Sequence, residues 1–536
     1  MPAWQSNANM NRVVSTIRSF PPRFCRKESH IITRSFISFT VGNIMKLEHY
    51  VNILVTYGLD HHLFSMSETD KVVKKLAKVL GLKPWTFQPD RPGYNLETIV
   101  NPLLDHAFKR GLFSVDTIHE RDAFEALIMD AMMPSPKVVK DRFKVLHDRD
   151  PEKVTRYLYD MSVAVNYIKA DRLRQNIKWI HPSPYGDLQM TINLAKPEKD
   201  PRDIAAAKQT EAVKQDDIPL CVLCKENEQN YHNARMNLRI VPVTLGEERW
   251  HFQFSPYLYY NEHAIILHDV HKPMQIKPKT FTYLLDFLDL FPGYFIGSNA
   301  DLPIVGGSIL NHDHFQAGRH VFPIEEATID KAFDTNLDIN IEAVNWPMST
   351  VRLQSQDRGL LARTATRFWE AWQTYEHQAL DIIAKTHGEP HNTVTPIARL
   401  KDGVYTLDLI LRNNRTSEAH PLGIFHPHAD VQHIKKENIG LIEAMGLAIL
   451  PGRLKEELGL ILEALKQRAP TLPETLKHHQ DWYETLERQD IREEDGLFNA
   501  VGTRFERVLE DAGVFKRDQA GQEAFHHFIE TVIHPE

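Results

Sequence analysis

Two histidines and a glutamine occupy alternate positions in the segment GGSILNHDHFQAGRH, residues 306–320. In an extended strand, the side chains of His312, His314 and Gln316 would point to one face. A neutral imidazole is a nucleophile near pH 7 and can attack phosphorus, giving a phosphoramidate that a second acceptor cleaves. The glutamine amide and the backbone N–H groups of the Gly-Gly-Ser turn ending at Ser308 could contact the phosphate oxygens. The segment predicts a phosphate-transfer site; the alternative is a strand with two histidines in a polar groove.

A Cys-x-x-Cys pair, Cys221 and Cys224, offers a second chemistry. Such a pair is usually half of a tetrahedral zinc site, sometimes a redox pair, and occasionally neither. A redox pair would stand at a helix start after a strand, whereas CVLCKENEQNYHN continues into polar residues, so zinc is favoured. Because the chain has only three cysteines, histidines must complete the ligand set. Each candidate could equally be an ordinary surface or core histidine; the candidates are His263, His268, His271 and His312.

Composition bounds the class of protein that carries these residues. A chain of 536 residues, 42% hydrophobic and 25% charged, is globular and long enough for two or three domains. A net charge of −8 argues against nucleic acid and anionic membrane partners. No apolar run approaches the roughly 20 residues that cross a bilayer. The few, closely spaced cysteines favour a reducing compartment, so we expect a cytoplasmic protein.

Residues 1–44 differ from the rest of the chain, because six basic residues face the single acid Glu28 amid many serines. This composition is typical of a mitochondrial transit peptide. The alternative, which we favour, is that translation begins at Met45 and that the preceding residues are a non-native extension or a disordered tail.

The elements that must position the site are mixed. The chain from Lys46 to about Trp179 has helical patterns, including one that Asp150 would cap. The segment LQMTINL (188–194) alternates like a strand, and the charged stretch after it predicts a boundary near residue 200.

Strand patterns follow at NLRIVPV, HAIILHD and DGVYTLDLILR. Helical patterns separate them at FTYLLDFLDLF and RFWEAWQTYEHQALDIIAKTHG, and we expect the second helix to end at Gly388. From Pro451 onward the chain is again mostly helical. The pair in NHDHFQ is echoed by FHPHADVQH (425–433), which indicates either two diverged copies of one unit or chance among 28 histidines.

These motifs resemble the histidine-triad superfamily and, within it, the second, bacterial class of the galactose-1-phosphate uridylyltransferase family. The stretches NYIKADRLRQNIKW, GDLQMTINLAKPEKDP, CVLCKENE, SPYLYYNEHAIILHDVHKPM, NHDHFQAGRH and HADVQHIKKENIGLIEAMGLAILPGRL carry the similarity, which extends from Met45 to the C-terminus. It implies an α+β fold in which two diverged histidine-triad-like α/β halves share antiparallel sheet structure. The implied regions are a helical N-terminal region (45–200), a first half (201–330), a second half (331–450) and a helical C-terminal region (451–536).

The resemblance also implies a reaction and its residues. His314 would take the uridylyl group from UDP-glucose and pass it to galactose 1-phosphate, while Gln316 hydrogen-bonds the transferred phosphoryl group. A structural zinc ion would be held by Cys221, Cys224, His271 and His312. The implied substrate contacts are Asn261 and Glu262 for the ribose, Asn438 and Glu443 for the hexose, and Ser308 and Asn311 beside the nucleophile. The family further suggests a homodimer.

The sequence departs from the family at one point. The better-studied class reads His-Pro-His-x-Gln, whereas Asp313 stands here in place of the proline. A literal His-Pro-His occurs instead at His426 and His428, where Asp430 replaces the glutamine. We favour residues 312–316 because they keep the glutamine and the preceding Gly-Gly-Ser.

Three further possibilities follow. Iron sites in the family use a second histidine cluster, for which His426, His428 and His433 are candidates. Another histidine-triad nucleotidyltransferase, such as a dinucleotide phosphorylase or hydrolase, would use the same nucleophile with a different acceptor. A non-enzymatic interaction module stapled by zinc would keep the metal ligands and tolerate loss of His314.

Overall fold

The computed structural model describes residues 47–194, 219–230, 234–307 and 309–535. Residues 1–44 and the domain boundary expected near residue 200 lie outside these residues. Among the described helices, none combines the length and the apolarity that a membrane span requires.

The N-terminal region is a set of packed helices, as the sequence predicts up to Leu173. Asp150 caps the sixth helix, because its carboxylate accepts hydrogen bonds from the N–H groups of Glu152 and Lys153 at 3.1 and 3.2 Å. The helices are α1 (Leu47–Asp60), α2 (Thr69–Val79), α3 (Leu96–Lys109), α4 (Ile118–Asp130), α5 (Pro136–His147), α6 (Pro151–Ala164) and α7 (Ala170–Leu173).

The expectation that helix continues to about Trp179 is wrong. Strand β1 (Ile177–Ser183) begins before that residue and pairs antiparallel with β2 (Gly186–Ile192), so that Trp179 lies opposite Met190. Pairing with β2 gives the backbone of this segment hydrogen-bond partners, and this tertiary context overrides the local pattern. The strand predicted over 188–194 is confirmed, displaced by two residues.

A ten-stranded sheet forms the centre of the protein, and its first half has the strand order β3-β4-β5-β7-β6. One helix, α8 (Pro278–Leu290), connects β5 to β6 along the chain. The strands are β3 (Val241–Leu245), β4 (Glu248–Phe254), β5 (Ala264–His268), β6 (Phe295–Gly297) and β7 (His314–Gly318).

The second half repeats this order as β8-β9-β10-β14-β13, and the two halves join where β6 pairs antiparallel with β13. Again one long helix, α10 (Arg358–Thr374), leads from β10 toward β13 along the chain. A small hairpin, β11 (Lys385–Thr386) and β12 (Glu389–Pro390), lies between this helix and β13. The order confirms an α+β fold of two copies of one unit. The remaining elements are the short helix α9 (Pro323–Glu326) and the strands β8 (Ile329–Phe333), β9 (Asn340–Val344), β10 (Thr350–Ser355), β13 (Asn392–Lys401) and β14 (Val404–Asn413).

The two His-x-His pairs are not equivalent in this repeat. The counterpart of β7 is β14, the last strand of its unit in sequence, and His426 and His428 follow β14 in a loop. The strand order therefore repeats in the two halves, but the second histidine pair does not occupy the position that matches the first pair.

The helix expected to end at Gly388 ends at Thr374. Gly388 instead forms the turn between β11 and β12, where it and His387 have φ angles of 88° and 53°. Two successive positive φ angles are the geometry of a tight hairpin turn, which is a second use for glycine besides ending a helix.

The two faces of the large sheet have different roles. Helices α8 and α10 cover one face, where alternate strand residues such as Phe315, Leu409 and Leu411 form the main core. The opposite face carries His314 and Gln316. Part of it packs on a second core built from β1, β2 and the C-terminal elements.

The C-terminal region is helical, as predicted. Strand β15 (Leu447–Leu450) pairs parallel with β2 and extends the small sheet to three strands. The helices are α11 (Leu441–Ala444), α12 (Leu454–Gln467), α13 (Gln480–Arg488), α14 (Glu494–Ala512) and α15 (Gln519–Ile533).

Candidate functional site

His314 begins strand β7 and lies opposite Leu267 of β5. Phe315 points to the other face and stacks on Trp250 with ring centroids 4.8 Å apart. His314 and Gln316 therefore share the face that the long helices leave uncovered, as the alternation predicts. His312 precedes the strand in a bend and has a different role.

The His314 ring is held by a hydrogen bond through one of its two nitrogens. Its Nδ1–H donates to the carbonyl of His312 at 2.8 Å, which leaves the lone pair on Nε2. Burial lowers the pKa of His314 to about 4, so the ring is neutral at pH 7. In the part of the chain described by the structure, no hydrogen bond involves Nε2.

Four side chains converge beside this strand: Cys221, Cys224, His271 and His312. Their ligand atoms all lie within 4.8 Å of one another. The two sulfurs are 3.6 Å apart, and Nδ1 of His312 is 3.3 Å from the sulfur of Cys221. Nδ1 of His271 is 3.2 Å from the sulfur of Cys224.

These distances fit a tetrahedral metal ion. Zn–S bonds of about 2.3 Å and Zn–N bonds of about 2.1 Å would separate two sulfurs by about 3.8 Å and a sulfur from a nitrogen by about 3.6 Å. The donor set of two thiols and two imidazoles can thus hold a metal. His312 Nε2–H donates to the carbonyl of His268 at 2.9 Å, which turns Nδ1 toward the thiols.

The local fold presents the two cysteines together. The 3-10 helix Lys225–Asn227 follows them directly. The Asn227 amide donates to the carbonyls of Cys221 and Cys224 at 2.8 and 2.9 Å. This closes the loop that carries both thiols.

Two of the four histidine candidates are not in the metal group. His268 contacts Glu248 through Nε2 at 3.1 Å and accepts from the Val270 N–H through Nδ1 at 3.0 Å. Nε2 of His263 lies 3.0 Å from Oε1 of Gln316. The spacing of these residues gave no signal for either contact, because the partners come from other strands.

Asp313 shows why proline is absent between the histidines. Its N–H donates to the carbonyl of Lys272 at 2.7 Å, and its own carbonyl accepts from the N–H of His268 at 2.9 Å. Proline lacks the N–H and could not make the first bond. The departure from His-Pro-His therefore joins the nucleophile's strand to the segment that carries His271.

The predicted ribose residues lie in a turn against the end of β7. Asn261 is exposed, and its carbonyl accepts from the N–H of Arg319 at 3.1 Å. Glu262 accepts a hydrogen bond from the Tyr294 hydroxyl and pairs with Arg319 at 3.3 Å. A Cβ at Gly318 would lie 2.5 Å from the Tyr260 ring, so only glycine allows this approach.

Of the predicted hexose residues, Asn438 lies in the loop before α11 and Glu443 lies within that helix. The Asn438 amide donates to the Gly306 carbonyl at 3.3 Å. Glu443 accepts from the buried ammonium of Lys435 at 2.9 Å. Asn299 links the loop to β6, because its side chain accepts from the Leu441 N–H at 2.8 Å. Lys435 and Asn299 were not among the residues predicted from the sequence, because no motif indicated a contact for either.

The glycine turn before the nucleophile is tightly packed. A Cβ at Gly306 would lie 2.5 Å from the Ala300 carbonyl oxygen, and one at Gly307 would lie 2.6 Å from the Asn299 amide. Asn311 is exposed. Ser308 lies outside the described residues.

The candidates for a second metal do not meet. His426 Nδ1 lies 3.3 Å from the Pro427 carbonyl, and His428 stacks on His420 with centroids 4.2 Å apart. His433 contacts His479 instead. Among the described residues, the other group of possible metal ligands is Glu457, His478 and His479.

Comparisons with known proteins identify the family. The model of the galactose-1-phosphate uridyl transferase N-terminal domain matches residues 65–273, and that of the C-terminal domain matches residues 287–483. Galactose-1-phosphate uridylyltransferase of Clostridium acetobutylicum is 47% identical over 500 residues, covering 90% of this chain and 99% of that protein. The Bacillus subtilis protein of the same name is 45% identical, covering 91% and 98%.

A distant solved structure, yeast Ap4A phosphorylase Apa2, covers 56% of this chain and 87% of its own at 13% identity. Its TM-score of 0.31 is too low to establish a shared fold. The two domain matches together span more than half of the sequence, and the relatives match almost from end to end. The chain therefore belongs to the galactose-1-phosphate uridylyltransferase family.

Proposed function

We propose that this chain transfers a uridylyl group between UDP-glucose and galactose 1-phosphate, with His314 as the covalent nucleophile. The observation that carries the proposal is the buried, neutral ring of His314, whose Nδ1–H is held by the His312 carbonyl. The names of the relatives supply the substrate class. The geometry supports the chemistry.

The reaction has two similar halves. Nε2 of His314 attacks the α-phosphorus of UDP-glucose, the bond from that phosphorus to the bridging oxygen breaks, and glucose 1-phosphate leaves. A phosphate oxygen of galactose 1-phosphate then attacks the same phosphorus, the P–N bond breaks, and UDP-galactose leaves. The entering phosphate oxygen is already ionised and the leaving oxygen departs as part of a stable phosphate anion, so neither half requires a general acid or base.

The residues around the nucleophile would stabilise this exchange. When Nε2 is bonded to phosphorus the ring is cationic, and the Nδ1–H bond to the His312 carbonyl stabilises that charge. The amide of Gln316 lies two residues along the same face and can donate to an oxygen of the transferred group. Such bonds count most when they strengthen as charge moves in the transition state.

We propose zinc as the metal in the group formed by Cys221, Cys224, His271 and His312. Two thiols and two imidazoles are a donor set that zinc prefers in structural sites. When bound, zinc would serve as a structural tie without contacting substrate. His312 carries both the metal-facing Nδ1 and the carbonyl that holds His314, so the group fixes the start of β7.

The substrate contacts remain proposals. Asn261 is exposed beside the end of β7 and open to the ribose. The carboxylate of Glu262 is already held by Tyr294 and Arg319, which supports a role in shaping this turn. Asn438 and Glu443 would contact hexose hydroxyls, while Ser308 and Asn311, which precede His314 in the sequence, would contact substrate beside the nucleophile.

A labelling experiment tests the nucleophile. The purified protein is incubated with UDP-glucose labelled in the uridine, without an acceptor, and then denatured. We expect acid-labile label on the protein, as a phosphoramidate requires, and its location on His314 by peptide mass spectrometry. A protein that turns over both substrates but never carries label would exclude the covalent scheme.

The acceptor distinguishes the related reactions. Labelled enzyme should be discharged by galactose 1-phosphate to give UDP-galactose. Discharge by inorganic phosphate or water alone would instead indicate a phosphorylase or a hydrolase. We also propose a cytoplasmic homodimer. The free thiols of Cys221 and Cys224 are consistent with a reducing compartment, and light scattering of the native protein would test the dimer.

A further inference from the structure

We infer that His263 is a positioning residue, which turns the Gln316 side chain so that its N–H₂ group, not its oxygen, faces the transferred phosphoryl group. The inference rests on the proposed function, because it concerns how Gln316 contacts the substrate.

The contact is buried and specific. His263 immediately precedes β5, and its side chain is 2% exposed. Its Nε2 lies 3.0 Å from Oε1 of Gln316 on the adjacent strand. The ring also packs on Tyr260 with centroids 4.5 Å apart, which restricts its rotation.

The protonation of the ring follows from what surrounds its other nitrogen. Nδ1 of His263 is buried and has no hydrogen-bond partner among the described residues. Burial lowers the pKa of His263 to about 4, so the ring carries one proton at pH 7. A buried N–H without an acceptor is rarer than a buried lone pair without a donor. The proton therefore resides on Nε2 and is donated to Gln316.

This tautomer selects one of two orientations of the glutamine. An amide can rotate by 180° and exchange its oxygen and nitrogen at little steric cost. With Oε1 accepting from His263, the nitrogen is left as the group that can donate to a substrate oxygen. The opposite orientation would require Nε2 of His263 to accept, would strand the Nδ1 proton, and would turn the amide oxygen toward an anionic phosphoryl group.

The glutamine makes no competing side-chain contact that would fix it. In the described part of the chain, the bond from His263 is the one hydrogen bond found for the Gln316 amide. Its two N–H donors are thus available to substrate. A site that exposes a donor and anchors the matching acceptor is organised before the substrate arrives.

The test compares three variants in uridylyl exchange between UDP-glucose and galactose 1-phosphate. His263→Phe keeps a ring against Tyr260 and removes the donor, so we expect kcat to fall about tenfold while KM changes less than about twofold. His263→Gln places an amide N–H near the former Nε2 and should recover most of the rate. In a Gln316→Ala background, His263→Phe should cost nothing further, because its effect passes through Gln316.

A matched control has the same chemistry outside the site. His320 also contacts a glutamine oxygen, that of Gln189, at 2.7 Å, and lies near the Tyr260 ring. His320→Phe should leave kcat within about twofold of the wild type. Metal content and the unfolding midpoint of each variant show whether the fold has changed.

The outcomes separate this inference from the proposed function. If the wild type never carries uridylyl label, the proposed function fails. If the wild type is labelled but His263→Phe exchanges at the full rate, only the inference on His263 fails. It is also overturned if the loss in His263→Phe persists unchanged in the Gln316→Ala background, or if His263→Gln is as slow as His263→Phe.

Discussion

The two halves of the large sheet have the same strand order and opposite chemistry. In the first half, the face away from the long helices carries the neutral rings of His263 and His314 beside Gln316. In the second half, the same face carries a buried ionic network around Asp408. One copy of the unit presents reactive groups, and the other is filled with charge pairs.

A single row of directly paired residues links the two environments. It runs from Gln316 to Gly297 and Ile397, and then to Asp408 and Arg352. Paired residues in antiparallel strands point to the same face, so the row lies wholly on the site face.

The network in the second half is built on paired charges. Asp408 is fully buried and accepts from Arg352 at 2.8 Å and from Arg399 at 2.8 Å. Arg352 also donates to the Ile324 carbonyl at 2.7 Å. Burial alone would raise the pKa of Asp408, but the two guanidinium groups hold it below its ordinary value. These charged groups pair with one another.

A duplicated unit can thus hold different polar groups at matching positions. The first half keeps polar groups with unused donors and lone pairs, which cost stability. The second half uses the same positions to hold itself together. Substitutions that remove one polar group from either half test this difference between the two halves.

The largest effect is expected for the nucleophile. His314→Ala should reduce uridylyl exchange by at least about 10⁴-fold, because no other group replaces the attacking nitrogen. Metal content should remain, since His314 is not a ligand. His428→Ala removes the second histidine of the other pair and should still accept label. Label on the protein in His314→Ala would contradict the assignment.

The next effect concerns stability in the second half. Asp408→Asn leaves two buried guanidinium groups without their counter-charge, and we expect the free energy of unfolding to fall by about 3–5 kcal/mol. Urea unfolding measures it. The exposed pair of Asp60 and Arg91 provides the control, because Asp60→Asn should change little. Equal losses in both variants would refute the role of burial.

The sign of the pH dependence follows from the same residue. Because the pKa of Asp408 is lowered in the folded state, its contribution is present above the unfolded value of about 3.9. That contribution is lost as the pH falls through the folded value. The acid-induced loss of stability should therefore be shallower in Asp408→Asn than in the wild type.

A smaller loss is expected for the phosphoryl contact. Gln316→Ala should lower kcat by about 10²-fold with metal and fold intact, since it removes one donor to the transition state. Gln354 lies on the same face of the second half and bonds Thr406 at 3.3 Å. Gln354→Ala should keep the wild-type kcat, and a matching loss there would indicate a general effect of sheet repacking.

A loss no larger than that of Gln316→Ala is expected when the metal is removed. Chelation should lower exchange by about 10- to 100-fold, because the start of β7 loses its support. Hydrogen exchange should then speed up in residues 314–318 and stay slow in residues 404–413. Added zinc should restore both. Full activity in metal-free protein would contradict the positioning role.

The sequence predicted the residues of the candidate site better than the strands and contacts that position them. Alternation placed His314 and Gln316 on one face, and a Cys-x-x-Cys with too few cysteines required histidine ligands. Family resemblance selected His271 and His312 from the four candidates, and the structure groups them with the thiols. Both kinds of inference work because the residues carry their chemistry in type and local spacing.

The sequence did not predict features that depend on contacts between segments far apart in the chain. The start of β1 at Ile177 and the end of α10 at Thr374 depend on partner strands and tight turns that outweigh local helical patterns. The bond from His263 to Gln316 joins two strands 53 positions apart.

By itself, the sequence predicted the reactive groups and the mixture of helices and strands, because these follow from residue chemistry and short-range periodicity, while the family resemblance predicted the metal ligands and the two α+β halves. Only the tertiary structure decided which histidine contacts Gln316, where the ionic network of the second half lies, and that the second pair, His426 and His428, is not a copy of the first. Those outcomes depend on strand order and burial, and burial sets both the charge of each ring and the partners within its reach.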